Sequence, residues 1–160
     1  MRGADYPLRA ARELKDRAVD EAARELGEAT ERTRHAEAAV TRARERLGAH
    51  AVETERWEAG ERQRGGGSAA TFLAVQAYRE RRRSERDALR EAVTAAQAEV
   101  ASRREAEREA REALAQARAE AEAVERHEER WRLERRKTAE RKEEQEAEDV
   151  AQARRFHDED

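Results

Sequence analysis

Gly60-Glu61-Arg62-Gln63-Arg64-Gly65-Gly66-Gly67-Ser68 is the stretch where a long helical pattern stops and a second one begins. Three consecutive glycines each cost roughly 1 kcal/mol relative to alanine inside a helix, so the break is strong. Ser68 precedes Ala69-Ala70-Thr71-Phe72-Leu73. Its hydroxyl can accept from a free backbone N–H, which suits it to cap a new helix. A break between two long helices acts either as a flexible joint in a rod or as the turn of a hairpin. The reading taken here is the hairpin, with the two helices packed antiparallel.

The rest of the composition fits long helices. Of 160 residues, 46% are charged, 37% are hydrophobic and 4% are aromatic, too little apolar material for an ordinary globular core. Proline occurs once, at Pro7, and glycine is scarce outside the break. Alanine, glutamate, arginine, glutamine and leucine dominate, and these are strong helix formers. Such a composition with a 3.5-residue period signals a coiled coil rather than a disordered chain.

Working back from the break, residues recur in a 3-4 alternation: Leu26, Ala29, Thr33, Ala36, Val40, Ala43, Leu47, His50, Thr54, Trp57. Upstream of Leu26 the apolar positions Leu8, Ala11, Leu14, Ala18 and Ala22 step mostly by four, which locally unwinds a heptad pattern. Pro7 fits a first helical turn, with Asp5 or Tyr6 at the cap. Helix one is therefore expected from about 8 to about 61 and the turn over about 62–68.

Working forward, one 3-4 track threads Leu89, Val93, Ala96, Val100, Arg103, Glu107, Ala110, Leu114, Ala117, Ala121, Val124, Glu128 and Trp131. Helix two is expected over about 69–156. The charged members of the track lower stability but can fix register. The fold class is thus all-α: one domain over 1–160, two long helices in an antiparallel coiled-coil hairpin, helix two longer than helix one. With the turn near Arg64, residue i should face roughly residue 130 − i. About 35 residues of helix two, including Trp131, Leu133, Val150 and Phe156, then have no partner helix. Isolated helical segments of this kind are marginal, and a binding partner would order them.

Catalytic chemistry is not indicated. Gly65-Gly66-Gly67-Ser68 has no lysine and lacks the spacing of a phosphate loop. His35, His50, His127 and His157 stand far apart, and the chain has no cysteine, so no metal site or cofactor is expected. A two-helix hairpin has no concave pocket in which to desolvate a carboxylate.

The net charge is −3, from 35 basic and 38 acidic residues, so no overall field draws the chain to nucleic acid. All basic residues but Lys15, Lys137 and Lys142 are arginine, which reads as codon bias. The longest uncharged run, Gly65 to Tyr78, is 14 residues, too short to insert across a bilayer. The start of the chain lacks the apolar core of a secretory signal, so a cytoplasmic location is expected.

Charge is concentrated locally. Residues 79–90 carry six basic and three acidic residues, and 130–137 carry five basic and one acidic. From Thr138 onward four basic residues meet nine acidic ones. A solvated helix surface is the ordinary reading of any one such run. The aromatics sharpen it: Trp57, Phe72 and Tyr78 lie near the turn, Trp131 and Phe156 toward the other end. Exposed Trp, Tyr and Arg are the usual material of interface hot spots.

The run Leu14-Lys15-Asp16 through Asp20-Glu21-Ala22-Ala23-Arg24-Glu25-Leu26-Gly27-Glu28 resembles the opening helix of the FliJ/YscO-type stalk proteins of type III export systems, including a leucine-glycine-glutamate step. The central break, the tryptophan followed by arginine- and glutamate-rich helix, and the charged second helix are similar in outline. The resemblance implies a non-catalytic coiled-coil stalk, peripheral to the inner-membrane export apparatus. It would link a hexameric export ATPase to the cytoplasmic domain of the export gate, promote ATPase activity and export, and meet secretion chaperones.

On the gate and chaperone side the resemblance points to helix faces near Ala39, Ala43, Arg46 and His50 and around Tyr78. The expected partner-binding set there is Arg46, His50, Trp57, Phe72 and Tyr78. The first of these faces lacks the aromatics of the flagellar pattern, which favours the injectisome branch. On the ATPase side the expected set is Trp131, Leu133, Arg135, Arg136 and Lys137. Two other readings stand beside this one: a generic coiled-coil scaffold, and the peripheral-stalk regulator of the same ATPase. The regulator is marked by G-x-x-x-G runs, whereas Gly27, Gly48 and Gly60 in helix one are never four apart.

Overall fold

The structure is a computed structural model that describes residues 6–158, with side chains through position 152. Asp5 and the side chain of Phe156 lie outside those limits. The described residues form two helices, α1 (Arg9–Arg64) and α2 (Ala69–Asp158), with no strand among them. α1 runs nearly a turn beyond the expected end near Glu61. Glu61 pairs with Arg64 at 2.6 Å, and Arg62 and Arg64 complement the negative C-terminal pole of the helix.

Each glycine of the turn has its own task. Gly65 (φ 52°) and Gly66 (φ 42°) adopt the left-handed conformation that side chains disfavour. At Gly67 an added Cβ would lie 2.9 Å from Thr71 Cβ. Ser68 then caps α2: its Oγ accepts from the Thr71 N–H at 3.3 Å, and its carbonyl accepts from the Phe72 N–H at 3.0 Å. At the start of α1, Pro7 and Leu8 form a turn in which the Arg9 N–H donates to the Tyr6 carbonyl at 3.1 Å.

The contacts fall into two packed units, Arg24–Glu112 and Met1–Ala23 with Ala113–Asp160. The first contains the turn and is a helical hairpin. Its helices are antiparallel: Thr33, His50 and Trp57 of α1 meet Arg103, Glu85 and Tyr78 of α2 in that order. The register differs from the expected one by about five residues. His50 faces Glu85 rather than a residue near 80, because Gly65–Ser68, not Arg64, make the reversal.

The seam of this unit follows the 3-4 track. Ala29, Thr33, Ala36, His50 and Val100 are buried, and Leu26, Val40, Leu47, Leu89 and Val93 are half-buried. Arg103 departs from its expected inward position. Its carbonyl accepts from Thr33 Oγ1 at 3.3 Å, but its side chain turns out to Glu99 at 2.6 Å. A guanidinium keeps its hydration and an ion pair that way, while the small Thr33 lets the two backbones approach.

The second unit pairs the start of α1 with α2 from Ala113, again antiparallel: Arg12 meets Glu128 and Lys15 meets Glu120. Here the expected apolar track is corrected. Leu8 and Leu14 are 43% and 66% exposed and Ala18 is exposed, while Ala11, Arg12, Lys15, Val19 and Ala22 turn inward. The 3-4 spacing therefore continues from Leu26 back through Ala22, Val19, Lys15 and Arg12, without unwinding. Two of its positions carry cations whose stems lie along the seam while their heads find carboxylates on α2. No side chain with described burial in either unit is completely buried, as an alanine-rich seam implies.

Candidate functional site

In the unit that carries the turn, Trp57 of α1 stacks on Tyr78 of α2 with ring centroids 4.0 Å apart and planes at 33°. Such offset aromatic pairs contribute about 0.5–1.5 kcal/mol beyond their buried area. Arg81 lies over the Tyr78 ring, 5.2 Å from its centroid. Two turns nearer the middle of α1, Arg82 crosses from α2. Its Nε donates to Thr54 Oγ1 at 3.0 Å, Nη2 to the His50 carbonyl at 2.9 Å, and Nη1 to Glu85 at 3.0 Å. The Glu85 carboxylate also lies 3.3 Å from His50 Nε2. His50, Thr54, Trp57, Tyr78 and Arg82 are among the residues that line an open cleft of about 480 Å³ between α1 and α2.

The cleft brings together three of the five residues expected on this side: His50, Trp57 and Tyr78. His50 is buried and works inside the seam. Arg46 is exposed on α1 and Phe72 is 63% exposed on the first turn of α2, both outside the cleft lining. Sequence reasoning missed Arg82. Counting back from Leu89 by the same 3-4 steps reaches Arg86 and Arg82, so the position was available although the residue type argued against it.

In the other unit, Tyr6 is buried against α2. Its hydroxyl lies 2.8 Å from His127 Nδ1, and its ring meets Trp131 edge-on at 5.6 Å between centroids. Arg135 covers Trp131 at 5.4 Å. The buried Glu128 carboxylate accepts from Arg12 and Arg132, each at 2.5 Å. The hydrogen bond and charge of Glu128 raise the Arg12 pKa above its ordinary value. Lys15 donates to Glu120 at 2.6 Å, and that bond, helped by Gln116, holds the Glu120 carboxyl below its ordinary pKa.

Trp131 was expected on the stretch without a partner. It is instead half-buried against Tyr6, just ahead of α1, so contacts between the start of the chain and α2 reach about nine residues past Glu122. Of the other residues expected on this side, Leu133 is 51% exposed and Arg135, Arg136 and Lys137 are exposed. Every residue from 132 to 152 is exposed. Arg12 and Lys15 escaped the sequence reading because only apolar positions were followed there, and Tyr6 was read only as a possible cap.

Among the described residues no group of three or more His, Cys, Asp or Glu side chains is placed to hold a metal ion. No described helix is long and apolar enough to cross a membrane. No protein-family model, curated protein or solved structure matches the chain. The described residues form two long helices with an alanine-rich seam.

Proposed function

We propose that this chain is a non-catalytic coiled-coil stalk of a type III export system, linking the hexameric export ATPase to the export gate and raising ATPase activity. The observation that carries the reading is the run 132–152 of α2. It continues the helix past the last contact with Tyr6 and is exposed throughout. It opens with Leu133, Arg135, Arg136 and Lys137 and turns acidic from Glu140. A ring of six identical subunits repeats every charge six times around its pore. A slender helix with separated charge blocks finds favourable contacts in such a pore at several rotations. Complementary charge speeds and orients docking, and Leu133 with the outer face of Trp131 supplies apolar anchoring. The unit that carries the turn then faces the gate and secretion chaperones, at the inner-membrane export apparatus on its cytoplasmic side.

The test uses the cognate export ATPase and a chain lacking residues 133–160, which retains Trp131 on Tyr6. The truncated chain should no longer stimulate ATP hydrolysis. Reversal of Arg135, Arg136 and Lys137 to glutamate should weaken stimulation, with an effect that shrinks as salt rises. Full stimulation by the truncated chain would overturn the assignment.

A further inference from the structure

Beside the seam of the turn-bearing unit, α2 carries a second stripe at 3-4 spacing: Phe72, Gln76, Arg79, Arg83, Arg86 and Arg90. At 3.6 residues per turn these share one face. Phe72 is 63% exposed at its start. Arg79, Arg83 and Arg86 form the α2 wall of the cleft, over the floor of Trp57, Tyr78 and Arg82. Arg82 and Arg86 are engaged, the first with Thr54, His50 and Glu85, the second with Asp87 at 2.7 Å. Arg79, Arg83 and Arg90 make no ion pair or side-chain hydrogen bond among the described residues. The facing wall on α1 has the opposite sign, with Glu55 and Glu58, neither in an ion pair among the described residues.

We propose that this cleft takes a helical segment of a partner protein as a third helix. The edge of that segment facing α2 carries carboxylates four and seven residues apart, and an apolar side chain at one end rests on Phe72. The proposal rests on the reading of the turn-bearing unit as the partner-facing one and states the chemistry of what it receives. The argument is charge complementarity on a fixed spacing. Arg79 and Arg83 are one helical turn apart, and Arg90 lies two turns beyond Arg83 on the same face. A carboxylate row on a parallel or antiparallel helix repeats at the same intervals. Guanidinium forks donate to a carboxylate two bonds at a time, and the Trp57–Tyr78 pair offers the segment apolar surface. The Glu55 and Glu58 wall requires that the other edge of the segment be neutral or basic. A uniformly acidic chain is therefore disfavoured, and so is a phosphate backbone.

The probe is a synthetic helical peptide of about 20 residues with glutamates at i, i+4 and i+11 along one edge, lysines along the other and leucines between. Trp57 fluorescence reads its binding to the full chain in which Trp131 is replaced by Phe. The expected result is saturable binding that weakens about tenfold when Arg79, Arg83 and Arg90 are changed to Gln together. The same loss should follow when the peptide glutamates become glutamines, and Phe72→Ala should weaken binding at high salt as much as at low. Circular dichroism checks that each variant keeps its helix content. Equal binding of the glutamate and glutamine peptides overturns the proposal. So does equal binding by the triple variant, or binding to phosphatidylglycerol vesicles with none to the peptide. Absence of peptide binding by a parent chain that does stimulate the ATPase sinks this inference alone. Peptide binding without any stimulation sinks the stalk reading and leaves the cleft standing.

Discussion

Arg82 donates to the backbone carbonyl of His50 at 2.9 Å, from one helix to the main chain of the other. Thr54 Oγ1 donates to the same carbonyl at 2.8 Å, so two side chains, one from each helix, converge on one main-chain oxygen. The Arg82 side chain is only 14% exposed and its donors are matched to Thr54, His50, Glu85 and Glu53. In a seam of alanines, this polar crossing favours one register over its neighbours.

Arg82→Ala should therefore lower the stability of the hairpin by about 2 kcal/mol, the range for hydrogen bonds from a charged donor. Arg82→Lys should recover less than half, since an ammonium cannot present the same fork. Urea denaturation followed by circular dichroism measures both. A loss within experimental error for the alanine variant would show that the crossing is a surface ornament.

The turn offers a second measurement. Gly65→Ala and Gly66→Ala should each cost about 1–2 kcal/mol because both positions hold a left-handed backbone. Ser68→Ala should cost about 1 kcal/mol through the lost cap on the Thr71 N–H. Gly60→Ala, within α1 and with open space around its Cβ, should instead stabilise by up to about 1 kcal/mol.

These two sets of residues show what the sequence made legible and what it did not. The glycine break, the serine cap and the seam from Leu26 to Trp57 are local or periodic signals, and each could be read directly. The register could not, because a shift of the reversal from Arg64 to Gly65–Ser68 moves every pairing while leaving each helix's own pattern unchanged. The seam near the start of α1 was misread for a different reason. Arg12 and Lys15 occupy heptad positions that an apolar search skips, and only the carboxylates of Glu128 and Glu120 across the seam explain them. Of the proposed contact residues, Phe72 and Leu133 are exposed, His50 is buried in the seam and Trp131 packs on Tyr6.

Acid should loosen the pairing of Lys15 with Glu120. The folded carboxyl sits below its ordinary pKa of 4.5, so its contribution is complete above that value and is lost as pH falls through the lower folded one. Melting temperature followed from pH 6 down to pH 3 should fall less steeply in Glu120→Gln than in the parent over the acidic end of that range. Parallel curves would show that the ion pair adds nothing.

Two truncations separate pairing from overhang. Removing residues 133–160 should leave the melting temperature of the remaining chain unchanged, because every side chain described there is exposed. Removing 126–160 should lower it, since His127, Glu128 and Trp131 are the contacts of Tyr6 and Arg12. Identical melting of the two truncated chains would mean that the Tyr6 contacts hold nothing together.

The spacing of partners along the chain also sets a kinetic order. Thr54 and Arg82 are 28 residues apart in sequence, whereas Tyr6 and His127 are 121 apart. Closing a loop costs about 0.6 kcal/mol more for each doubling of its length, and short helical contacts form fastest. Once the glycine turn brings Trp57 to Tyr78, each later pair closes only a few residues beyond one already made. Assembly of the turn-bearing unit should then run from the turn outward, Trp57 with Tyr78 before Thr33 with Arg103. Substitutions at Gly65 or Arg82 act on the rate of folding, and those at Tyr6 or Trp131 act on the rate at which the closed chain reopens.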